Sequence, residues 1–145
     1  MTALLDVNVL IALFDTEHIH YETAHDWFES TERGPWATCP LTENGFVRIV
    51  ASPRYPGRRT TVAEAAERLR RSCHESDDHV FWPDSLSLRD QEHFTAGALR
   101  GYRQITDVYL LALAVHHDGV LTTFDDSIPT GAVPGAGDNR IVLLR

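Results

Sequence analysis

The sequence contains no lysine, since all 13 of its basic residues are arginine. Any mechanism that needs a lysine amine is therefore excluded. Cysteine is also scarce, and the two residues Cys39 and Cys73 do not make a disulfide framework in a chain that is large enough to build its own core. We expect both to be free thiols.

Long apolar runs are absent as well. No stretch reaches the ~18 apolar residues that a membrane-spanning helix needs, and Asp6 interrupts the apolar run near the amino terminus, which carries no basic segment. Neither a membrane segment nor a secretory signal is predicted. We therefore expect a soluble protein of the cytoplasm with no membrane partner.

What is present is typical of a globular protein. Hydrophobic residues make up 43% of the chain and charged residues 23%, which excludes a disordered, collagen-like or coiled-coil protein. The 145 residues show no repeat, linker or low-complexity tract. Because a chain of this size can bury a substantial core, we expect one domain spanning residues 1–145.

Short apolar runs alternate with segments of helical periodicity. Strands are predicted at residues 3–6, 36–39, 79–82, 120–123 and 141–144. Helices are predicted at residues 9–14, 20–30, 41–50, 61–73, 88–99 and 107–117, with Thr61 and Thr106 as amino-terminal caps. This alternation indicates strand–helix–strand crossovers and hence a parallel sheet. The almost wholly apolar strands predict an α/β fold in which both faces of the sheet are covered.

Charge is distributed unevenly along the chain, whose formal net charge is −8. Seven arginines and only two glutamates lie between Arg48 and Arg71, so this basic segment contrasts with an acidic remainder. It is either a local anion-binding surface or an arginine-rich helix and loop that is simply solvated.

Four carboxylates follow the ends of predicted strands or open predicted helices. Asp6 ends the first strand, and Asp125 lies just beyond the fourth. Glu43 lies in the first turn of the helix after the second strand, and Asp107 opens the helix before the fourth. The carboxyl ends of parallel strands and the helix starts that follow them share one edge of a sheet, where ligands bind. We therefore expect Asp6, Glu43 and Asp125 at this edge, and Asp107 joins them if the loop at residues 101–106 brings the start of its helix to the same side.

Four carboxylates in one crevice would repel one another, and burial would raise their pKa values, unless a cation is bound. Oxygen ligands without clustered histidine or cysteine favour Mg²⁺ or Mn²⁺. Such ions can orient a phosphodiester, activate water and stabilise the leaving oxygen. Each residue also has a purely local interpretation: Asp6 as a helix cap, Glu43 as a partner of the helix dipole, and Asp125 with Asp126 as a turn pair.

Four segments carry a family resemblance: residues 4–10 (LLDVNVL), 42–46 (TENGF), 105–114 (ITDVYLLALA) and 121–125 (LTTFD). In order and spacing they resemble the acidic motifs of PIN-domain ribonucleases, and most closely those of the VapC-type toxins of bacterial type II toxin–antitoxin systems. The resemblance implies a three-layer α/β/α sandwich with a central, mostly parallel sheet. It also implies an endoribonuclease that requires Mg²⁺ or Mn²⁺, forms a homodimer, cleaves RNA and is blocked by a cognate antitoxin.

The motif match carries residue roles with it. It implies that the catalytic metal site consists of Asp6, Glu43, Asp107 and Asp125, with Asp126 as an alternative for the last position. Asn8 and Thr106 are implied as supporting polar groups. Within the basic segment no motif singles out an arginine, and we take Arg48, one helical turn beyond Glu43, as the residue expected to contact RNA or antitoxin.

Three other functions are compatible with an acidic crevice on a parallel sheet. A phosphoreceiver module is disfavoured because it uses a lysine, which this chain lacks. A phosphohydrolase of small phosphate esters is disfavoured because the glycines at 131, 135 and 137 precede neither a lysine nor a predicted helix and so do not form a phosphate loop. A binding protein without catalytic activity is the third alternative.

Overall fold

A central parallel sheet of five short strands organises the molecule, and the computed structural model describes all 145 residues. The strands are β1 (Ala3–Leu5), β2 (Trp36–Thr38), β3 (His79–Phe81), β4 (Val120–Thr123) and β5 (Ile141–Leu143). The helices are α1 (Val7–Phe14), α2 (Tyr21–Glu29), α3 (Pro40–Val50), α4 (Val62–Glu75) and α5 (Ile105–His116). Short 3₁₀ turns lie at Ala96–Ala98, Tyr102–Gln104, Thr130–Ala132 and Asp138–Arg140.

The strands are arranged in the order β3-β2-β1-β4-β5, and every neighbouring pair is parallel. Strand β1 is central, with Leu4 opposite Ala37 of β2 on one side and opposite Leu121 of β4 on the other. The chain first builds outward from β1 through β2 to β3 and then returns to add β4 and β5 on the other side. The direction of winding therefore reverses between β1 and β4, and such a reversal opens a crevice at the carboxyl ends of the two strands.

Each face of the sheet supports a separate hydrophobic core. On one face, Leu5, Trp36 and Phe46 belong to a core that the first four helices cover. On the other face, α5 is buried on nearly all sides from Val108 to Ala114 and packs against Leu4 and Leu121. Helices and loop segments thus cover both faces, which confirms the predicted α/β sandwich with a parallel sheet.

Most predicted elements are present with their ends shifted by one or two residues. Thr61 caps α4 as predicted, because its hydroxyl accepts a hydrogen bond from the Glu64 amide at 3.0 Å. Cys39 and Cys73 are free, as expected. Strand β3 departs from the expectation of coverage on both faces, since it lies at the sheet edge and exposes Val80 and Phe81. No helix combines the length and apolar character needed to span a bilayer.

The helix predicted at residues 88–99 is wrong. This segment consists of turns and one 3₁₀ turn, because its polar groups find other partners. The Asp90 carboxylate accepts a hydrogen bond from the Glu92 amide at 2.9 Å, and the Thr95 amide donates to the distant Ala132 carbonyl at 2.9 Å. These local and tertiary hydrogen bonds replace the helical ones.

Thr106 is not the cap of the helix that follows it, contrary to the prediction. The 3₁₀ turn Tyr102–Gln104 runs directly into α5, so that the helix begins at Ile105 and the cap position is Gln104. Thr106 consequently lies in the first turn of the helix with its side chain exposed.

Candidate active site

Asp6 stands at the junction of β1 and α1, where the central strand ends. It is the cap residue of α1, and its carboxylate accepts hydrogen bonds from the Val7 amide at 2.7 Å and from the Thr123 hydroxyl at 2.7 Å. The side chain is almost fully buried. Burial raises the pKa of Asp6, and the two hydrogen bonds only partly oppose this effect.

Thr123, the last residue of β4, connects the two sides of the crevice. Its hydroxyl donates to Asp6 and accepts hydrogen bonds from the Asp125 amide at 3.0 Å and from the Asn8 side-chain amide at 3.3 Å. The Asn8 carbonyl oxygen in turn accepts from the Phe124 amide at 3.3 Å. Asn8 therefore joins the start of α1 to the end of β4. Sequence reasoning assigned no role to Thr123, although it lies within one of the quoted motifs.

Asp125 and Asp107 approach Asp6 from the loop after β4 and from the first turn of α5. The pKa of Asp107 is raised to about 7, chiefly by burial and further by the negative charges of Asp6 and Asp125. Asp125 instead has a lowered pKa, because the Ser127 hydroxyl and amide donate to its carboxylate at 2.6 and 2.8 Å. The structure thus gathers three aspartates that are far apart in sequence. Asp126 is exposed and takes no part in this group.

Glu43 lies at the neighbouring strand end, in the first turn of α3, and has different partners. Its carboxylate accepts a hydrogen bond from the Thr38 hydroxyl at 2.7 Å, and the same hydroxyl lies 2.8 Å from the Nε2 atom of His79. The negative charge of Glu43 contributes to the raised pKa of the Cys73 thiol, about 11, which burial chiefly causes. Burial lowers the pKa of His79. No hydrogen bond joins Glu43 to any of the three aspartates.

The remaining predicted residues are exposed. Thr106 and Arg48 make no side-chain hydrogen bond and no ion pair. In the basic segment, Glu64 and Glu67 neutralise part of the charge through ion pairs with Arg58, Arg70 and Arg71. Arg48 therefore stays a prediction based on its position.

The three aspartates have the donor chemistry that a hard divalent cation prefers. Their donor atoms are all carboxylate oxygens, and the raised pKa values of Asp6 and Asp107 indicate that the negative charges are poorly balanced by the protein alone. A bound Mg²⁺ or Mn²⁺ would supply the missing positive charge. Glu43 lies in the first turn of α3, the helix that follows β2, and β2 is the strand beside β1.

One group of three potential metal ligands that lie close to one another is found away from the aspartates, in the loop after β3. Oxygen or nitrogen atoms of Asp90, Glu92 and His93 lie within 4.8 Å of one another, and His93 Nε2 is 3.6 Å from Asp90. These residues are close in sequence, and the Asp90 carboxylate already accepts the Glu92 amide. Their close spacing in the sequence could have marked them as a candidate metal site. That spacing does not predict a position at the carboxyl edge of the sheet.

The chain is similar to known proteins over most of its length. The family model described as the PIN domain matches residues 3–132. The chain is 45% identical over 144 residues to ribonuclease VapC44 of Mycobacterium tuberculosis. The alignment covers 99% of this chain and 100% of that relative.

Two solved structures share the fold. The crystal structure of the sarcin-ricin loop cleaving toxin VapC20 of Mycobacterium tuberculosis matches with a TM-score of 0.63 at 17% identity, over 92% of this chain and 98% of that one. A toxin–antitoxin complex from Klebsiella pneumoniae matches with a TM-score of 0.60 at 20% identity, over 97% of this chain and 95% of that one.

Proposed function

The chain belongs to the PIN domain family and, within it, to the VapC ribonucleases, and from this membership we propose that it is a metal-dependent endoribonuclease that acts as the toxin of a toxin–antitoxin pair. The observation that carries the proposal is the convergence of Asp6, Asp107 and Asp125 at the crevice between β1 and β4. We propose that residues 1–145 act as one nuclease domain and that the reaction takes place in the cytoplasm.

Asp6, Asp107 and Asp125, together with Glu43, would hold Mg²⁺ or Mn²⁺. When bound, such an ion supplies activation of water and neutralisation of phosphate charge. Thr123 and the Val7 amide orient Asp6 through their hydrogen bonds, and Ser127 orients Asp125. These contacts hold the carboxylates in place before substrate binds, which avoids a reorganisation cost during the reaction.

Exposed arginines of the basic segment would bind the RNA backbone. The protein carries a net charge of −8, so a polyanion needs a local basic surface in order to approach it. Arg48, Arg54 and Arg59 form no ion pair with an acidic side chain and are available for phosphate contacts. Binding of RNA should accordingly weaken as the salt concentration rises.

Cleavage of RNA by purified protein tests the proposal. The wild type should cut structured RNA in MnCl₂ and not in excess EDTA, and it should not hydrolyse p-nitrophenyl phosphate. Asp6→Asn should lower the cleavage rate by about 100-fold or more, because the variant loses a proposed metal ligand and a bound ion contributes several kcal/mol to catalysis. Asp126→Asn removes the same charge from an exposed neighbour and serves as the control, with a rate close to wild type. Undiminished cleavage by Asp6→Asn, or equal cleavage in EDTA, would contradict the proposal.

A cognate antitoxin and a second copy of the chain are the proposed protein partners. Family membership and the Klebsiella toxin–antitoxin complex of the same fold support the first. Light scattering of the purified chain tests the second: a homodimer has twice the 16.3 kDa protomer mass, and a monomer at all concentrations would contradict it.

A further inference from the structure

We infer that His79 and Thr38 form a hydrogen-bond relay that positions Glu43 for metal binding. This inference rests on the proposed function, because it assigns Thr38 and His79 as positioning residues for one side chain of that same site. Nothing in the motif resemblance singles out either residue. The relay is a property of the tertiary structure, since its members come from β2, β3 and α3.

The direction of the relay follows from the number of protons available. The Glu43 carboxylate can only accept, so the Thr38 hydroxyl must donate its single proton across the 2.7 Å contact with Oε2. That hydroxyl is then an acceptor in its 2.8 Å contact with His79 Nε2. The Nε2 atom of His79 therefore carries a proton. Hydrogen bonds run in one direction, from His79 through Thr38 to Glu43.

The relay has a rigid foundation. Thr38 is fully buried at the end of β2, and His79 is paired in register with Trp36, against whose ring its own ring lies at a centroid distance of 4.6 Å. Trp36 is itself almost fully buried. Two of the three relay members thus lie on paired strands of the sheet, whereas Glu43 projects from a helix on a side chain with three torsions.

The relay holds Glu43 at the end of β2, the strand beside the one that ends at Asp6. Leu4 of β1 pairs with Ala37 of β2, so that Thr38 is level with the residue preceding Asp6, at the usual spacing of about 4.8 Å between strands. The relay occupies one carboxylate oxygen and leaves the other free. A carboxylate whose orientation is fixed beforehand loses less entropy when it binds an ion.

Glu43 also lines a groove between α3 and α4 with a volume of about 800 Å³. Asn44, Arg70, Cys73, His74 and His79 also line it. His74 belongs to this groove without a hydrogen bond to Thr38 or Glu43, and it provides a matched control for His79.

Two pairs of variants separate positioning from a merely structural role. Thr38→Val removes the hydroxyl while keeping the shape of the side chain, and Thr38→Ser restores it. His79→Leu removes the donor, and His79→Gln offers an amide donor in its place. His74→Gln changes a histidine of the same groove outside the relay. Thermal unfolding shows that each variant is folded.

Calorimetric titration with MnCl₂ and the Mn²⁺ dependence of RNA cleavage are the two measurements. Removing a residue that orients a metal ligand typically costs 10–100-fold in affinity, so we expect Thr38→Val to raise the Mn²⁺ dissociation constant and the Mn²⁺ concentration for half-maximal cleavage by about 10-fold. His79→Leu should show a smaller increase. Thr38→Ser, His79→Gln and His74→Gln should resemble the wild type.

Several results would overturn the relay. These are a Thr38→Val variant that binds Mn²⁺ as tightly as the wild type or more tightly, equal impairment of Thr38→Val and Thr38→Ser, and equal impairment of His79→Leu and His74→Gln. In each case a wild type that binds Mn²⁺ and cleaves RNA leaves the proposed function intact. A wild type that binds no Mn²⁺ overturns both, because Glu43 then has no ion to bind.

Discussion

The aspartate group (Asp6, Asp107 and Asp125) and Glu43 lie at neighbouring strand ends, but their negative charges are balanced in different ways. Asp107 faces two other carboxylates, and its pKa is raised to about 7 by burial and by their charge. Glu43 instead accepts a hydrogen bond from Thr38, which His79 supports. In the first region the protein balances the carboxylate charges only in part, whereas the second region satisfies its carboxylate with a protein donor. Under the proposed function, the first region would attract the ion and Glu43 would be oriented to receive it.

The largest expected effect separates the two regions by activity. Asp107→Asn should reduce RNA cleavage by about 100-fold or more, because Asp107 is central to the charge that attracts the ion, and such ions contribute several kcal/mol to catalysis. Glu43→Gln should reduce cleavage by about 10-fold, because we expect Glu43 to contribute less to metal binding than Asp107 does. Cleavage rates at saturating Mn²⁺ test this order. A larger loss in Glu43→Gln than in Asp107→Asn would reverse the comparison.

A smaller effect is expected from the residue that orients Asp6. Thr123→Val removes the hydrogen bond to the Asp6 carboxylate and should slow cleavage by about 10-fold, equivalent to ~1.4 kcal/mol. Thr122 provides the matched control. It is a buried threonine of the same strand whose hydroxyl has no hydrogen-bond partner, so Thr122→Val should leave cleavage unchanged. Equal rates for the two variants would show that Thr123 does not orient Asp6.

The unfavourable burial and mutual repulsion of the aspartate group should also lower the free energy of unfolding. The pKa of Asp107 is higher in the folded chain than in the unfolded one, so the folded state binds more protons and stability falls as pH rises from about 4 through about 7. In excess EDTA at pH 8, Asp107→Asn should therefore raise the free energy of unfolding by roughly 1–2 kcal/mol, allowing for solvent screening of this half-buried group.

The pH dependence gives this prediction its control. The stability gain of Asp107→Asn should vanish near pH 4, where the wild-type carboxyl is protonated in the folded state. Asp126→Asn should change little at either pH, because Asp126 is exposed. Chemical denaturation at pH 4 and pH 8 measures both variants. A destabilised Asp107→Asn protein at pH 8 would contradict this interpretation of the aspartate group.

The smallest effect is expected at the competing group in the turn after β3. His93→Ala should retain the stabilisation that MnCl₂ gives to the wild type. We propose that the ion binds at the aspartates, and a ligand that binds only the folded state raises the unfolding temperature. Differential scanning fluorimetry with and without MnCl₂ measures it. Loss of the metal-induced shift in His93→Ala, with the shift retained in Asp6→Asn, would place the ion at the other group.

Short-range sequence patterns predicted most of the fold, because the spacing of apolar residues indicates which side chains are buried and capping residues indicate where helices begin. The apolar runs indicate the central strands, and Thr61 with Glu64 marks the start of α4 correctly. The helix predicted at residues 88–99 failed where a distant segment intervened, since the Thr95 amide donates to Ala132. Thr106 failed as a cap because the preceding 3₁₀ turn extends the helix by two residues.

The candidate site divides in the same way. The positions of Asp6, Glu43, Asp107 and Asp125 at strand ends and helix starts are properties of the sequence, because parallel connectivity brings such positions to one edge. Which carboxylates face one another, and that Glu43 is held by Thr38 and His79, depends on packing between segments up to 117 residues apart, as in the contact between Thr123 and Asp6. A sequence pattern determines which groups reach the crevice, but only tertiary packing decides the orientation and hydrogen-bond partner of each side chain, because those depend on atoms supplied by other strands.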